Sequence, residues 1–314
     1  MHSARFVFAA ALLTASSTFG ATAACDRACL KGMLDQYLTA VIKHDPAAAP
    51  LFVGFRQTEN AVVVRPGTGM WKSATGLGKF QRRYLDAVSG QAAYFGVIEE
   101  GANSAIVTVR VKVVDKKITE AEWMISHKND PGLNGNNPDG TSNGNFFEPD
   151  NLAKNPPPDR VVPKAQRASR EALEAITNSY FDGLTTHDGS LIMHHDGCTR
   201  VENGRGMTGT NDCAANLANL NVSIVAARRY PVIDEEAQVV LALAVFMRKP
   251  GTATRRNVFA EWFFIDNNKI RNVYSAMFYP APDQPVPNWP PYDGNFPLPA
   301  ELAPKAPAAG RGPQ

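Results

Sequence analysis

Two sixteen-residue stretches decide the fold: LKGMLDQYLTAVIKHD at residues 30–45 and LEAITNSYFDGLTTHD at residues 173–188. A shift of 143 positions (173 minus 30) aligns them without a gap, and the match continues until Glu59-Asn60 falls on Glu202-Asn203. A tandem duplication explains this match. Two copies are too few for a solenoid, in which several repeats must stack, so each copy is expected to be a complete domain.

Within each copy the sequence predicts a helix followed by strands. In the first copy, apolar residues at helical spacing predict a helix from Cys29 to Lys43, and Gly78–Val88 is predicted as a second, short helix. Strands are predicted at Phe52–Thr58, Ala92–Glu99, Ser104–Val114 and Ile118–His127, and in the second copy at Val222–Ala227, Gln238–Met247, Asn257–Ile265 and Ile270–Tyr279. Helices followed by a curved antiparallel sheet make an α+β fold.

The chain is long enough for two ordinary domains, and composition marks the segments around them. The segment 129–164 is dense in Asn, Gly, Pro and Asp, which predicts a linker. The expected organisation is a signal peptide at 1–24, a first domain at 25–128, the linker at 129–164, a second domain at 165–280 and a Pro-rich tail at 281–314. Trp289, Tyr292 and Phe296 in that tail are candidates for packing back on a domain.

The N-terminus predicts export. An apolar run from Phe6 to Leu13 precedes small residues that end at Ala24, as in a signal peptide, so the protein is expected to be secreted or periplasmic. Cys25 directly after Ala24 leaves a lipoprotein as the alternative. The formal net charge of +2 gives no indication of nucleic-acid binding, and no other stretch is long enough to span a membrane.

Four cysteines in an exported chain predict disulfides, and four cysteines allow three pairings. Local pairing, Cys25 with Cys29 and Cys198 with Cys213, is the simplest, and four buried free thiols are the alternative. The sequence has no C-x-x-C pair with a matching histidine cluster, so no metal site is expected. Phosphate-loop and nucleophile-elbow motifs are also missing, so no cofactor is expected.

The segments from Gln36-Tyr37 to His44-Asp45 and Val201-Glu202-Asn203-Gly204 resemble the NTF2-like superfamily, which includes SnoaL-type polyketide cyclases and ketosteroid isomerase. The resemblance covers roughly residues 26–127 and 165–280. It implies two cone-shaped domains, each a curved sheet around helices with an apolar pocket at its wide end for a small hydrophobic or aromatic ligand. It also implies that the two domains pair as an intrachain pseudo-dimer, with a homodimer as a further option.

By the same resemblance, the second copy carries the better candidate catalytic site. Tyr180 falls at the position of the helix tyrosine, and Glu261 at that of the protonated acid, which together form an oxyanion hole in ketosteroid isomerase. Asn203 occupies the base position, where it cannot abstract a proton, so Glu202 beside it is the fallback base. In the first copy Val109 stands at the position of Glu261.

Six further residues are expected to line the pockets and contact a ligand. These are Tyr37, Glu59, Asn60, Trp71, Trp262 and Tyr274. The tyrosines also fit core positions, and the strand-end glutamates fit solvated or turn-capping roles. Glu261 lies in an apolar, aromatic strand, where a carboxyl must be paired or have a raised pKa.

Two functions fit these patterns. The first is an exported, cofactor-independent isomerase, cyclase or lyase that acts by acid–base chemistry on a small aromatic or polyketide-like compound. The alternative is a non-catalytic protein that binds a small molecule or serves as a scaffold. The retained tyrosine and glutamate favour the enzyme, whereas the missing base favours the alternative.

Overall fold

The computed structural model describes residues 25–207, 212–253 and 255–282. The predicted signal peptide and the three tail aromatics lie outside these ranges. The described chain forms two six-stranded sheets, one in each copy, and each sheet curves around the helix that precedes it. This arrangement confirms the expected α+β class in two tandem copies, and each curved sheet with its helix is called a cone below.

The first half is built from two helices and six strands. Its helix α1 begins after Asp26, whose side chain accepts a hydrogen bond from the backbone N–H of Cys29 and caps the helix. The elements are α1 (Arg27–Ile42), β1 (Leu51–Glu59), β2 (Val62–Val64), α2 (Met70–Ser73), β3 (Gly76–Asp86), β4 (Gln91–Glu100), β5 (Asn103–Val114) and β6 (Lys117–Ser126). The strand order is β2-β1-β6-β5-β4-β3.

The second half repeats this plan after a short linker helix. Its elements are α3 (Pro149–Lys154), α4 (Arg170–Thr186), β7 (His194–Glu202), β8 (Arg205–Gly206), β9 (Val222–Asp234), β10 (Val239–Arg248), β11 (Asn257–Asp266) and β12 (Lys269–Phe278). The strand order is β8-β7-β12-β11-β10-β9. In each half the first strand pairs in parallel with the last, so the sheets are mixed and the expected purely antiparallel sheet is corrected.

The prediction of a short helix at Gly78–Val88 is wrong, because this segment forms most of strand β3. Alternation along the strand places Phe80 and Tyr84 on the outer face of the sheet and Leu85 in the first core. The outward aromatics are buried against the second half of the chain. That burial depends on a partner surface distant in sequence, and the local pattern carries no sign of it.

The outer faces of the two sheets pack against each other. Phe80, Phe95 and Ile106 of the first half share one apolar cluster with Trp262 and Phe264 of the second. The indole N–H of Trp262 donates to the hydroxyl of Thr108 across this contact, at 2.9 Å. Burial of apolar surface in such a contact is the main source of its stability.

Two ion pairs cross the contact reciprocally. Arg27 at the start of α1 binds Asp234 of the second half at 2.8 Å, and Arg170 at the start of α4 binds Asp86 of the first half at 2.7 Å. The arginines are 143 positions apart (170 minus 27), the spacing of the duplication. Each aspartate also accepts a backbone N–H from the opposite half, from Leu85 or from Ile233. A self-complementary interface of this kind is the hallmark of two-fold symmetry.

Both predicted disulfides are confirmed: Cys25 is bonded to Cys29, and Cys198 to Cys213. The linker is hydrogen-bonded to both halves, since Pro157 accepts from Arg82 of the first half and Glu148 donates its backbone N–H to Asn203 of the second. No helix among the described residues is both long and apolar enough to cross a membrane.

Candidate functional site

The interior of the second cone holds a cluster of polar side chains from four elements. Tyr180 projects from α4, Arg200 and Glu202 from β7, Arg248 from the end of β10 and Glu261 from β11. Alternation along β7 directs Cys198 into the core of this cone and Val201 to the outer face. Arg200 and Glu202 share the inward register of Cys198.

Glu261 is a buried acid on an aromatic wall. It lies between Phe259 and Phe263, two core residues of the second cone, and is 3% exposed. Its Oε2 atom is buried without a hydrogen-bond partner. Burial, and secondarily the nearby Glu202, raises the pKa of Glu261 well above its usual value, against the opposing effect of Arg200. The protonated form is therefore favoured, and it has a proton to donate.

Tyr180 lies beside Arg200. A guanidinium has only donors, so the tyrosine oxygen must be the acceptor in this pair, and the hydroxyl proton is left to point elsewhere. Burial raises the pKa of Tyr180 above its usual value despite the positive charge of Arg200. Tyr180 is thus a neutral donor.

Glu202 lies between the positive and acidic groups of the cluster. Burial raises its pKa, while the charges of Arg200 and Arg248 oppose that rise. A raised pKa makes the ionised form of a carboxylate a stronger base than that of an ordinary glutamate. Its position is therefore suited to accept a proton from a ligand inside the cone.

Arg248 is held by two amides. Its guanidinium donates to the side-chain oxygens of Asn221, at 2.6 Å, and of Asn257, and its Nε atom is buried without an acceptor. Burial lowers its pKa below the usual value, which reports the cost of placing this charge out of water.

In the first cone, the buried polar groups around the helix tyrosine are hydrogen-bonded to one another. Tyr37 donates to the side-chain oxygen of Gln57 at 2.9 Å and accepts the indole N–H of Trp123 at 2.9 Å. The indole N–H of Trp71 donates to the same oxygen of Gln57, at 2.8 Å. Tyr37, Trp71 and Trp123 are each 0% exposed, so the hydroxyl of Tyr37 has no donor capacity left for a ligand.

Strand register shows which residues of the two cones correspond. Val109 pairs with Tyr94 on one side and Trp123 on the other. Glu261 pairs in the same way with Ala242 and Ser275. The second cone therefore has a carboxyl in place of valine and small residues in place of a tyrosine and a tryptophan.

Two of the expected pocket residues, and one expected catalytic residue, lie elsewhere. Trp262 and Tyr274 face outward into the contact between the sheets, because β11 and β12 direct alternate residues to opposite faces and Glu261 takes the inward position. Asn203 is fixed by the backbone, since its amide accepts from Met277 N–H at 2.8 Å and donates to Met277 C=O at 3.2 Å.

Asn60 repeats this role in the first half, where its amide binds both backbone groups of Ile125. Both asparagines have left-handed backbone, with φ of 47° for Asn60 and 45° for Asn203, which asparagine tolerates better than most residues. Each asparagine therefore fixes the turn after its strand through its side-chain amide.

Glu59 is held at the rim of the first cone, where it accepts the backbone N–H of Met70 at 2.9 Å. Close to this rim is a surface cleft of about 640 Å³. There His127 binds Glu100 at 2.8 Å and lies 3.6 Å from Asp130, and these acids raise its pKa to about 10. Within residues 25–207, 212–253 and 255–282, no three metal-binding side chains converge.

The sequence reasoning missed Arg200 and Arg248. A usable signal existed for Arg200, because the 143-residue shift places it on Gln57 (200 minus 57), two positions before the glutamate that both copies share. Arg248 gave no such signal, since the gap-free alignment ends near Asn203 and only strand pairing locates its counterpart.

The family profile described as "Domain of unknown function (DUF8021)" matches residues 166–277, the second half of the chain. No curated protein matches significantly. Among solved structures, a candidate ketosteroid isomerase from Kribbella flavida DSM 17836 is 14% identical, covers 44% of this chain and 93% of its own, and has a TM-score of 0.28. An NTF-2 like protein of unknown function from Burkholderia xenovorans LB400 is 14% identical, with 38% and 90% covered and a TM-score of 0.29.

A third similar structure is a protein of unknown function with a cystatin-like fold from Methylobium petroleophilum PM1. It is 19% identical, covers 45% of this chain and 99% of its own, and has a TM-score of 0.30.

Proposed function

We propose that this tandem NTF2-like protein binds a small aromatic or polyketide-like carbonyl compound in its second cone and moves a proton on it without a cofactor. The observation that carries this proposal is the arrangement of Tyr180 and Glu261. Both are buried groups inside one cone. The Oε2 atom of Glu261 has no hydrogen-bond partner, and the neighbour of Tyr180 among the described residues, Arg200, cannot accept its hydroxyl proton. Two such donors form an oxyanion hole for a developing enolate.

The reaction then needs one base, and Glu202 fits that role. Its ionised carboxylate takes a proton from the carbon beside the ligand carbonyl, and the electron pair of the broken C–H bond moves to the carbonyl oxygen. Tyr180 and Glu261 donate hydrogen bonds to that oxygen. Return of the same proton from Glu202 to another carbon completes an isomerisation, whereas expulsion of a leaving group from the neighbouring carbon completes an elimination.

The second candidate function is binding without catalysis. It is favoured by Asn203, which occupies the base position of the resemblance and is used to fix a turn. In this case the cone would hold its ligand through the same donors, and Glu202 would serve only to balance the charge of the arginines.

We also propose that the working form is an exported monomer whose two halves, 25–128 and 165–280, act as an intrachain pseudo-dimer. The two disulfides support export, because such bonds persist in oxidising compartments. The reciprocal ion pairs and the shared apolar cluster support the internal pairing.

The test is exchange of carbon-bound protons with solvent. Ketones that carry a fused aromatic ring, such as 2-tetralone, are incubated with the protein in D₂O, and loss of the proton beside the carbonyl is followed by NMR. Glu261→Leu and Tyr180→Phe are each expected to slow exchange about 10²- to 10³-fold, and Glu202→Gln by about 10²- to 10⁴-fold.

Tyr37→Phe is the matched control, because it removes the equivalent hydroxyl from the closed cone and should leave exchange unchanged. Unaltered exchange in a folded Glu261→Leu, Tyr180→Phe double variant would rule out this site. Saturable ligand binding without exchange on any probe would favour the non-catalytic function.

A further inference from the structure

The interior of the second cone carries positive charge that no contacting carboxylate balances. Among the described residues, neither Arg200 nor Arg248 has a carboxylate oxygen within the 4.0 Å that defines an ion pair. Other inward or interface arginines are paired: Arg110 and Arg229 bind Glu122 at 3.1 Å and 2.6 Å. A partly buried charge without a carboxylate partner is costly, so the arrangement suggests that a partner arrives from outside.

The groups that do contact these arginines are neutral. Arg200 lies against the hydroxyl of Tyr180, and Arg248 binds the amides of Asn221 and Asn257. The Nε atoms of both arginines are buried with no acceptor. Each guanidinium therefore keeps N–H donors that an additional acceptor could engage.

The two acids in the cone do not cancel both charges. Burial and the nearby Glu202 raise the pKa of Glu261 well above its usual value, against the opposing effect of Arg200, and this rise favours its neutral form. Glu202 can balance one arginine when it ionises, and it interacts with both Arg200 and Arg248. At least one positive charge remains, which one negative charge on a ligand would neutralise.

The first cone has neither this charge nor the space. Its residue at the Arg200 position is Gln57, and the residue six positions after Tyr94 is Glu100, whereas the residue six positions after Ala242 is Arg248. The smaller Ala242 and Ser275 accompany the arginines in the second cone only. The second cone alone thus combines two arginines with smaller side chains at the positions that Tyr94 and Trp123 occupy in the first.

We infer that the ligand of the second cone is a small organic carboxylate, and that Arg248 binds its carboxylate group. This inference rests on the proposed function in taking the second cone as the ligand site. Arg248 lies six residues along β10 from Ala242, the partner of Glu261, a backbone separation of about 20 Å. The acid group and the carbonyl of the ligand are therefore bound at opposite ends of the molecule.

The experiment compares two probes of nearly equal shape, 2-naphthoate and 2-naphthamide. Their dissociation constants are measured by calorimetry at one ionic strength. We expect wild-type protein to bind the acid about 10- to 100-fold more tightly than the amide, the range of one charge-assisted contact. Equal affinities in the wild type, which need no variant to establish, would overturn the inference.

Variants then assign the preference to Arg248. Arg248→Gln should reduce it to within about twofold while leaving amide affinity nearly unchanged, and Arg248→Lys should retain part of it. Arg271→Gln, which removes a partly exposed arginine of the same half, is the control and should change nothing. A full preference for the acid in folded Arg248→Gln would overturn the assignment.

The outcome separates this inference from the proposed catalysis. A preference for 2-naphthoate that depends on Arg248, without proton exchange on any ketone, supports the inference and contradicts the proposed reaction. Exchange on neutral ketones that depends on Glu261, without preference for the acid, supports the reaction and contradicts the inference.

Discussion

In the first cone the hydroxyl of Tyr37 donates a hydrogen bond to Gln57. In the second cone the corresponding tyrosine, Tyr180, has Arg200 beside it. The glutamine accepts, whereas the arginine can only donate. One change of side chain on the same strand therefore determines whether the hydroxyl proton of Tyr37 or Tyr180 is used by the protein or left for a ligand.

Space changes together with polarity. Trp123 fills the first cone and hydrogen-bonds Tyr37, whereas Ser275 stands at the matching position of the second. Duplicated domains can thus diverge into a stabilising copy and a binding copy while the backbone stays the same. The following experiments test whether the two cones have separated in this way.

The largest effect is expected from exchanging the filling residue. Trp123→Ser should lower the free energy of unfolding by about 3–5 kcal/mol, because it leaves a cavity and removes a hydrogen bond to Tyr37. Urea denaturation measures this loss. Ser275→Ala at the matching position should cost no more than about 1 kcal/mol.

The reverse exchange sharpens the same comparison. Ser275→Trp should abolish binding of 2-naphthoate if the second cone is open where Trp123 closes the first. A small loss of stability in Trp123→Ser, comparable with that in Ser275→Ala, would show that the first cone is not packed tightly.

The next effect concerns the reciprocal ion pairs between the halves. Asp86→Asn and Asp234→Asn should each lower the free energy of unfolding by about 2–4 kcal/mol, since both aspartates are buried and their arginine partners are partly exposed. The two losses should be similar, as pseudo-symmetry requires. Lys31→Gln, which removes the exposed partner of Asp35 in a surface pair, is the control and should cost about 0.5 kcal/mol or less.

The pH dependence of these variants has a defined sign. Although burial opposes it, Arg170 and backbone N–H groups lower the pKa of Asp86 below its usual value of 3.8. Its contribution is therefore present above the unfolded pKa and lost as the pH falls through the folded one. A strongly unequal effect of Asp86→Asn and Asp234→Asn at neutral pH would break the symmetry.

A smaller effect of opposite sign is expected at Glu261. Its folded pKa is raised, so the native state holds a proton that the unfolded state loses above about pH 4.5, and stability falls as the pH rises. Glu261→Gln removes this penalty and should raise the melting temperature at pH 7, with the difference vanishing near pH 4. Val109→Gln in the first cone should instead lower the melting temperature, because valine has no proton to bind and its replacement relieves no pH-dependent cost. A melting temperature for Glu261→Gln that is unchanged or lower at pH 7 would contradict the raised pKa.

The smallest effect is expected at the cleft beside the first cone. Asp130 and Glu100 raise the pKa of His127 from 6.5 to about 10, so its contribution is full below pH 6.5 and lost as the pH rises through 10. His127→Gln should lower the melting temperature at pH 6 and have progressively less effect toward pH 10. Lys128→Gln, its exposed neighbour, should show no such trend, and a constant difference for His127→Gln across this range would exclude the ion cluster as its cause.

Local sequence patterns predicted most of the fold. The repeated stretches located both long helices, and the predicted bounds of β10, β11 and β12 lie within a few residues of the structure. The long β9 was predicted too short, and no bounds were predicted for β7 and β8. β3 was missed because Phe80 and Tyr84 are buried by a surface far away in sequence. The local pattern could not indicate that burial.

The residues of the candidate site share one cone, and their roles stay predictions. Tyr180, Glu202 and Glu261 lie in one cone, yet their positions followed from the resemblance, and the inward register of Arg200 came only with the strand. Trp262 was misplaced because alternation fixes that neighbours face opposite ways but not which of them faces inward. Only the packed sheets settle that choice.

The shared apolar face between the sheets also has a consequence for synthesis. The first half contributes residues up to Met124 to this apolar cluster. The second half, which buries them, is complete only when Ala276 has been made, 152 residues later (276 minus 124). At a translation rate of 5–20 residues per second this interval lasts about 8–30 s. During it Phe95 and Ile106 have no partner surface, so nascent chains stopped at residue 164 should bind a hydrophobic dye that full-length chains exclude. Chaperone demand would then be set by the length of the second half rather than by the stability of the first.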